Sequence, residues 1–186
     1  MAPGFPISIN GRAIRTSEAL YQACRFPHLP SVQALIIGER SPMTAKMKGK
    51  PFRGETRPDW NEVRVNIMRW CLRVKLAQNF ASFGSLLRST GEMPIVEKKL
   101  KRTDFWGARV TEEGTLVGQN VLGRLLMELR EQLDTCLESQ LLVVQPLEIP
   151  RFCLMGDLIE MVEVTPKSLQ HHPLVGQEPF EFYRYG

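Results

Sequence analysis

Seven apolar residues at helical spacing, Trp60, Val63, Ile67, Trp70, Cys71, Val74 and Ala77, constrain the fold of this chain more than any other feature. Their rhythm of three and four residues puts them on one face of a helix predicted over 59–80. Asp59, followed three residues later by Glu62, reads as a capping box at its start. The other face carries Arg64, Arg69, Arg73 and Lys75. This is the expected central helix.

The remaining elements are shorter. Residues 5–9 read as a strand ending in an Asn10-Gly11 turn. A helix starts at Thr16 or Ser17, both good capping residues, with Glu18 in its first turn and Leu20, Ala23 and Cys24 as its apolar stripe. Pro27 and Pro30 stop it, and 32–37 forms a second short helix closed by Gly38. Ser41-Pro42 is a strong helix start, and Gly49 ends that helix after about two turns. A loop over 50–57 leads to the central helix, and a further helix over 80–90 ends at Gly91. Residues 93–96 read as a strand, 98–102 as a basic loop, and Glu113-Gly114 as a turn. Asn120 caps the last long helix, whose stripe is Leu122, Leu125, Leu126, Leu129, Leu133, Cys136 and Leu137. Late strands are expected over 141–144 and 158–164. The length favours one compact domain, over 1–165, and the composition turns polar over 166–186, where a loosely held tail is expected.

Charge is unevenly placed. Residues 40–75 hold ten Lys or Arg against three acids, and 97–109 hold five against two. Two basic blocks on a weakly charged body point to an anionic partner, whether phosphate, nucleotide or nucleic acid. Solvated helix faces are the plainer reading of the same blocks. Cys24, Cys71, Cys136 and Cys153 are widely spaced with no paired-cysteine motif, and the only histidines are His28, His171 and His172, so a metal site is not expected. No apolar run reaches membrane-spanning length and no secretory leader opens the chain, which fits a reducing cytoplasm.

Several residues carry chemistry. Glu18 is either a first-turn glutamate or a general acid or base facing a cleft. Lys46 and Lys48 lie on a short helix before a basic loop, and Lys46 suits a grip on phosphate or ribose. Asp104 adjoins Phe105-Trp106-Gly107, where glycine lets a planar ring approach the indole. Arg57 and Arg64 flank the start of the central helix as phosphate contacts, and Asn120 sits at a helix start whose N–H groups favour anions.

Five segments in this order together resemble the NADAR (YbiA-like) family over about residues 5–135. They are Ser17-Glu18-Ala19-Leu20-Tyr21-Gln22-Ala23, Ser41-Pro42-Met43 with Ala45-Lys46, Asp59-Trp60 with Arg64, Phe105-Trp106-Gly107, and Gly118, Asn120, Leu122, Gly123, Leu126 and Met127. One departure is visible: Thr103 stands where the family carries an aspartate three residues before the tryptophan, with Asp104 one place later.

The resemblance implies an α+β, mainly helical YbiA-like fold with a few short strands and hydrolysis of a bond between a ribose anomeric carbon and nitrogen; no cofactor is expected. It makes Glu18, Lys46 and Asp104 catalytic candidates, and Tyr21, Arg57, Arg64, Trp106, Gly107 and Asn120 ligand-binding candidates. Two substrate classes go with the family. One is ADP-ribose on a base, including guanine in DNA, which implies a cognate ADP-ribosyltransferase whose work is undone. The other is ribosylamino-pyrimidine intermediates of riboflavin biosynthesis. A non-catalytic ADP-ribose or NAD binding module is the third reading.

Overall fold

The computed structural model describes residues 4–98 and 105–165. Residues 99–104, with Asp104, and the tail from 166 lie outside the described residues.

The chain opens with a hairpin of β1 (Ile7–Ile9) and β2 (Arg12–Ile14), paired antiparallel across Asn10 and Gly11. Both turn residues have positive φ, which asparagine and glycine tolerate best. The second strand is an addition to the sequence reading. Helix α1 (Ser17–Ala23) follows, and the Thr16 hydroxyl accepts from the Ala19 N–H as its cap. Helix α2 spans Pro30–Ile37, so Pro30 opens this helix at the position where its missing N–H costs nothing. Helix α3 (Pro42–Gly49) is capped by Ser41, which accepts from Thr44 N–H. The expected loop beyond it winds into a 3-10 helix over Lys50–Glu55.

Helix α4 (Trp60–Gln78) is the predicted central helix, and its apolar stripe is buried throughout. Its capping box does not form. Asp59 instead holds Arg57 in a two-pronged ion pair, with Nε–Oδ1 at 2.6 Å and Nη2–Oδ2 at 2.9 Å. Arg57 also donates to Pro150 O at 2.5 Å and is only 4% exposed. A buried guanidinium must be paired, and that demand outbids capping for the carboxylate. The same bonds hold the Asp59 carboxyl below the usual carboxylate range.

Helix α5 (Phe80–Ser89) packs on α4, and α6 (Val121–Thr135) packs on both. Between them β3 (Arg109–Val110) and β4 (Leu116–Val117) form a hairpin around the predicted Gly114 turn. No strand forms over 93–96; the Asn120 side chain bonds to the end of that stretch and to the residue after it. Its amide donates to Ile95 O at 2.9 Å, and its oxygen accepts from Glu97 N–H at 3.1 Å.

The last part runs through α7 (Glu138–Leu141), β5 (Val143–Val144), β6 (Cys153–Leu154), β7 (Asp157–Leu158) and β8 (Val162–Glu163). Strand β5 pairs with β8, and β6 with β7, all antiparallel. The expected strand over 158–164 is therefore split between two small sheets, and Leu141 belongs to a helix. Gln33, fully buried, ties α2 to this region. Its amide donates to Ala23 O and Cys153 O, while its oxygen accepts from Met155 N–H at 2.6 Å.

The hydrophobic core forms one cluster around α4 that reaches from the first hairpin to β8. Helix α4 runs through it with its amino end beside α1. That junction positions the site.

Candidate active site

Helix α1 is short, and all its residues but Glu18 are buried. Glu18 and Tyr21 lie three residues apart and so share a face. Glu18 is half-buried, and its Oε1 accepts a hydrogen bond from the Gln22 amide at 2.8 Å. Its Oε2 has no partner among the described residues. Tyr21 is packed between two indoles, 5.1 Å from Trp60 and edge-on to Trp106 at 5.6 Å. Burial drives the Tyr21 hydroxyl pKa far up, and the Glu18 carboxylate pushes it further the same way. Tyr21 therefore stays a neutral phenol throughout the working pH range.

Trp106 is held from behind by backbone. The N–H groups of Asn120, Val121 and Leu122 donate to the carbonyls of Gly107, Phe105 and Trp106 at 3.1, 3.2 and 3.1 Å. The first N–H groups of α6 are thus spent on fixing the indole's segment. These are the N–H groups expected to favour an anion at Asn120, and here they meet backbone carbonyls. Asn120, at φ 46°, and its side chain orient the aromatic segment and the 95–97 stretch instead. Gly118 and Gly123 belong to the same arrangement. A Cβ at Gly118 would lie 2.5 Å from Gly107 O, and one at Gly123 would run into Ile95 O and the Asn120 amide.

Arginine surrounds the aromatic wall. Arg25 lies over the Trp60 ring at 4.7 Å, and Arg64 over the Phe105 ring at 4.0 Å. Phe105 in turn meets Trp106 edge-on at 5.0 Å. Burial lowers the Arg25 pKa, the Tyr21 hydroxyl works the other way, and Arg53 and Arg64 lower it further. Arg53 and Arg64 therefore each lie within electrostatic reach of Arg25. Arg25 Nε and Arg64 Nε are buried without hydrogen-bond partners. Repelling, incompletely satisfied cations around Arg25 make a place where a phosphate would relieve both defects.

The structure brings Glu18, Tyr21, Arg64, Trp106 and Gly107 into one neighbourhood. Arg57 is withdrawn into its ion pair with Asp59 and serves the fold. Lys46 is exposed on α3, and no bond links it to Glu18 among the described residues. Helix α3 nevertheless packs on α1, seated by its buried Ala45 and Gly49. Gln22 and Arg25 were missed in the sequence. Gln22 lies one helical turn beyond Glu18, which was the available signal. Nothing distinguishes Arg25 from a solvated arginine until Trp60 lies beneath it.

The family model for the NADAR domain matches residues 3–134. The chain belongs to the NADAR family. It is 36% identical to N-glycosidase YbiA of Escherichia coli (strain K12) over 129 residues, which is 69% of this chain and 76% of that protein. N-glycosidase Npun_R5314 of Nostoc punctiforme is 30% identical, with 66% and 76% covered. The NMR structure of E. coli YbiA superposes with a TM-score of 0.58 at 35% identity, covering 71% of this chain and 74% of that one. The NADAR chain is thus an enzyme of N-glycosidase type on a YbiA-like, largely helical fold. Riboflavin biosynthesis protein VVA0006 of Vibrio vulnificus is 32% identical, but this chain covers only 33% of it.

Among the described residues no group of His, Cys, Asp and Glu could hold a metal ion, and no helix is long and apolar enough to cross a membrane.

Proposed function

We propose that this NADAR protein removes ADP-ribose from ADP-ribosylated guanine in DNA, and so reverses a toxin-type ADP-ribosyltransferase as its antitoxin. The observation that carries this reading is Glu18 beside Tyr21, which packs between Trp60 and Trp106, with Arg25 and Arg64 over the adjoining rings and Arg53 within reach of Arg25. A glycosidic nitrogen leaving a ribose gives a transition state with positive charge on the sugar, which a carboxylate stabilises. Glu18 Oε2 faces that charge and takes a proton from the attacking water. Water oxygen bonds to the anomeric carbon, the carbon–nitrogen bond breaks, and its electron pair leaves with the base. Trp106 and Tyr21 wall the planar ring, and Arg25, Arg53 and Arg64 take the diphosphate.

Lys46 is the proposed proton donor to the leaving nitrogen, with Asp104 assisting. A covalent alternative has the Lys46 amine attacking the anomeric carbon to give a Schiff base with opened ribose. Borohydride trapping separates the two, since only the imine is reduced to a stable adduct. The thiols of all four cysteines are free, which supports a reducing, cytoplasmic setting.

A second reading, hydrolysis of ribosylamino-pyrimidine intermediates, is favoured by the names of relatives such as the Vibrio vulnificus protein. The deciding experiment offers both substrates in parallel. Release of ADP-ribose from an ADP-ribosylated oligonucleotide supports the DNA reading. Cleavage confined to the pyrimidine intermediate selects the second, and binding without turnover of either reduces the protein to an ADP-ribose binding module.

A further inference from the structure

The ten cations over 40–75 divide sharply once their partners are known. Arg57 is locked to Asp59, Arg69 to Glu128 at 2.9 Å, and Arg73 to Gln132 and Gln140 O at 2.8 and 3.0 Å. Lys75 is in the core, and Arg64 lies on Phe105. The other five, Arg40, Lys46, Lys48, Lys50 and Arg53, are all exposed and all sit on α3, the 3-10 helix or their entry. No acid interrupts residues 40–54. Among the described residues the side chains of Arg40, Lys46, Lys50 and Arg53 have no hydrogen-bond or ion-pair partner. Lys48 meets Glu39 at 3.6 Å in a solvent-exposed pair, which water and salt largely screen. Met43 and Met47, 74% and 63% exposed, lie one turn apart on the same helix.

We propose that the 40–53 surface carries the sugar-phosphate backbone of a single-stranded nucleic acid whose modified base occupies the Glu18 site. This rests on the reading of the substrate as modified DNA. Continuity supports it: Arg53 belongs both to this surface and to the arginine group around Arg25, and α3 packs on α1. A metabolite with one or two phosphates is served by Arg25, Arg53 and Arg64 alone and has no use for cations along a helix of about 12 Å. A strand of phosphates does, and the polarisable methionines give unpaired bases an apolar rest. An anionic membrane fits less well, because α3 exposes two methionines where interfacial helices bury a broad apolar face.

The test measures binding of an unmodified, fluorescein-labelled single-stranded oligonucleotide over a salt series, for wild type and for the combined Arg40→Gln, Lys48→Gln, Lys50→Gln variant. Each phosphate contact contributes about 0.7 to the log–log salt slope of a single strand, so the variant's slope falls by about 2 and its affinity about tenfold or more. Unchanged circular dichroism shows that the variant is folded. Equal binding by both proteins, no binding by wild type, or wild-type binding only to phosphatidylserine vesicles overturns the proposal. Because the probe is unmodified, the outcome does not depend on turnover. If the surface binds DNA while ADP-ribosylated DNA is not cleaved, the surface stands and the substrate reading falls.

Discussion

Glu18 is the residue on which the proposed chemistry turns. Its carboxylate has one oxygen engaged by Gln22 and one left for substrate. Glu18→Gln keeps the size and the position on α1 but removes the charge that opposes the sugar cation. Turnover should fall by about 10²–10⁴, the range for loss of a positioned acid or base, while ADP-ribose binding and the melting temperature stay near wild type. Base release followed by chromatography, beside calorimetric binding, checks both. Near-normal turnover would remove Glu18 from the mechanism. The role proposed for Arg64 is different: acting on the ligand's charge in ground and transition states alike. Arg64→Ala should raise KM about 10- to 100-fold with kcat little changed, as expected for loss of a hydrogen bond to a charged group. A drop in kcat at constant KM would assign it a role in the chemical step.

At the scale of elements, the junction between the 105–107 segment and α6 sets the geometry. The segment's carbonyls occupy the N–H groups that open α6, and Asn120 reaches sideways to 95 and 97. Gly123 makes the close approach possible, since any Cβ there meets Ile95 O and the Asn120 side chain. Gly123→Ala should displace Trp106 and weaken ADP-ribose binding at least tenfold, even though alanine is the better helix former by about 1 kcal/mol. Trp fluorescence and ligand titration report the shift. A variant that is more stable and binds normally would show that the contact relaxes without moving the indole.

At the scale of the whole molecule, the notable group is Lys75. It is 1% exposed near the end of α4, with its ammonium 4.5 and 4.1 Å from the rings of Phe5 and Phe83. Burial lowers its pKa from 10.5 to about 7. The unfolded chain therefore binds this proton over a pH range where the folded one does not. Stability from this group is greatest above pH 10.5, declines as pH falls toward 7, and levels off below. The full span is on the order of 5 kcal/mol, reduced where the aromatic faces favour the cation. Lys75→Met should flatten the dependence of the urea midpoint on pH across this window and raise stability at pH 7. An unaltered profile would show that Lys75 stays charged in the fold.

The amino-acid sequence by itself determined the helices whose signals are local. Thr16 and Ser41 cap where their hydroxyls predict, Gly91 ends α5, and the stripe from Trp60 to Ala77 is the buried face of α4. It also singled out Glu18, Tyr21 and Trp106, through motif order. Tertiary structure decided which polar groups are at liberty to act. Asp59 and Asn120 look alike as caps, yet a buried arginine claims the first and a neighbouring segment the second. Lys75 sits on the polar side of the helical pattern and is buried because the first hairpin and α5 close over it. Arg25 and Arg64 became a pair only when Trp60 and Phe105 came beneath them. Periodicity registers distance along the chain, whereas the pairing of a charge depends on residues brought near from far away, and only the folded chain supplies those.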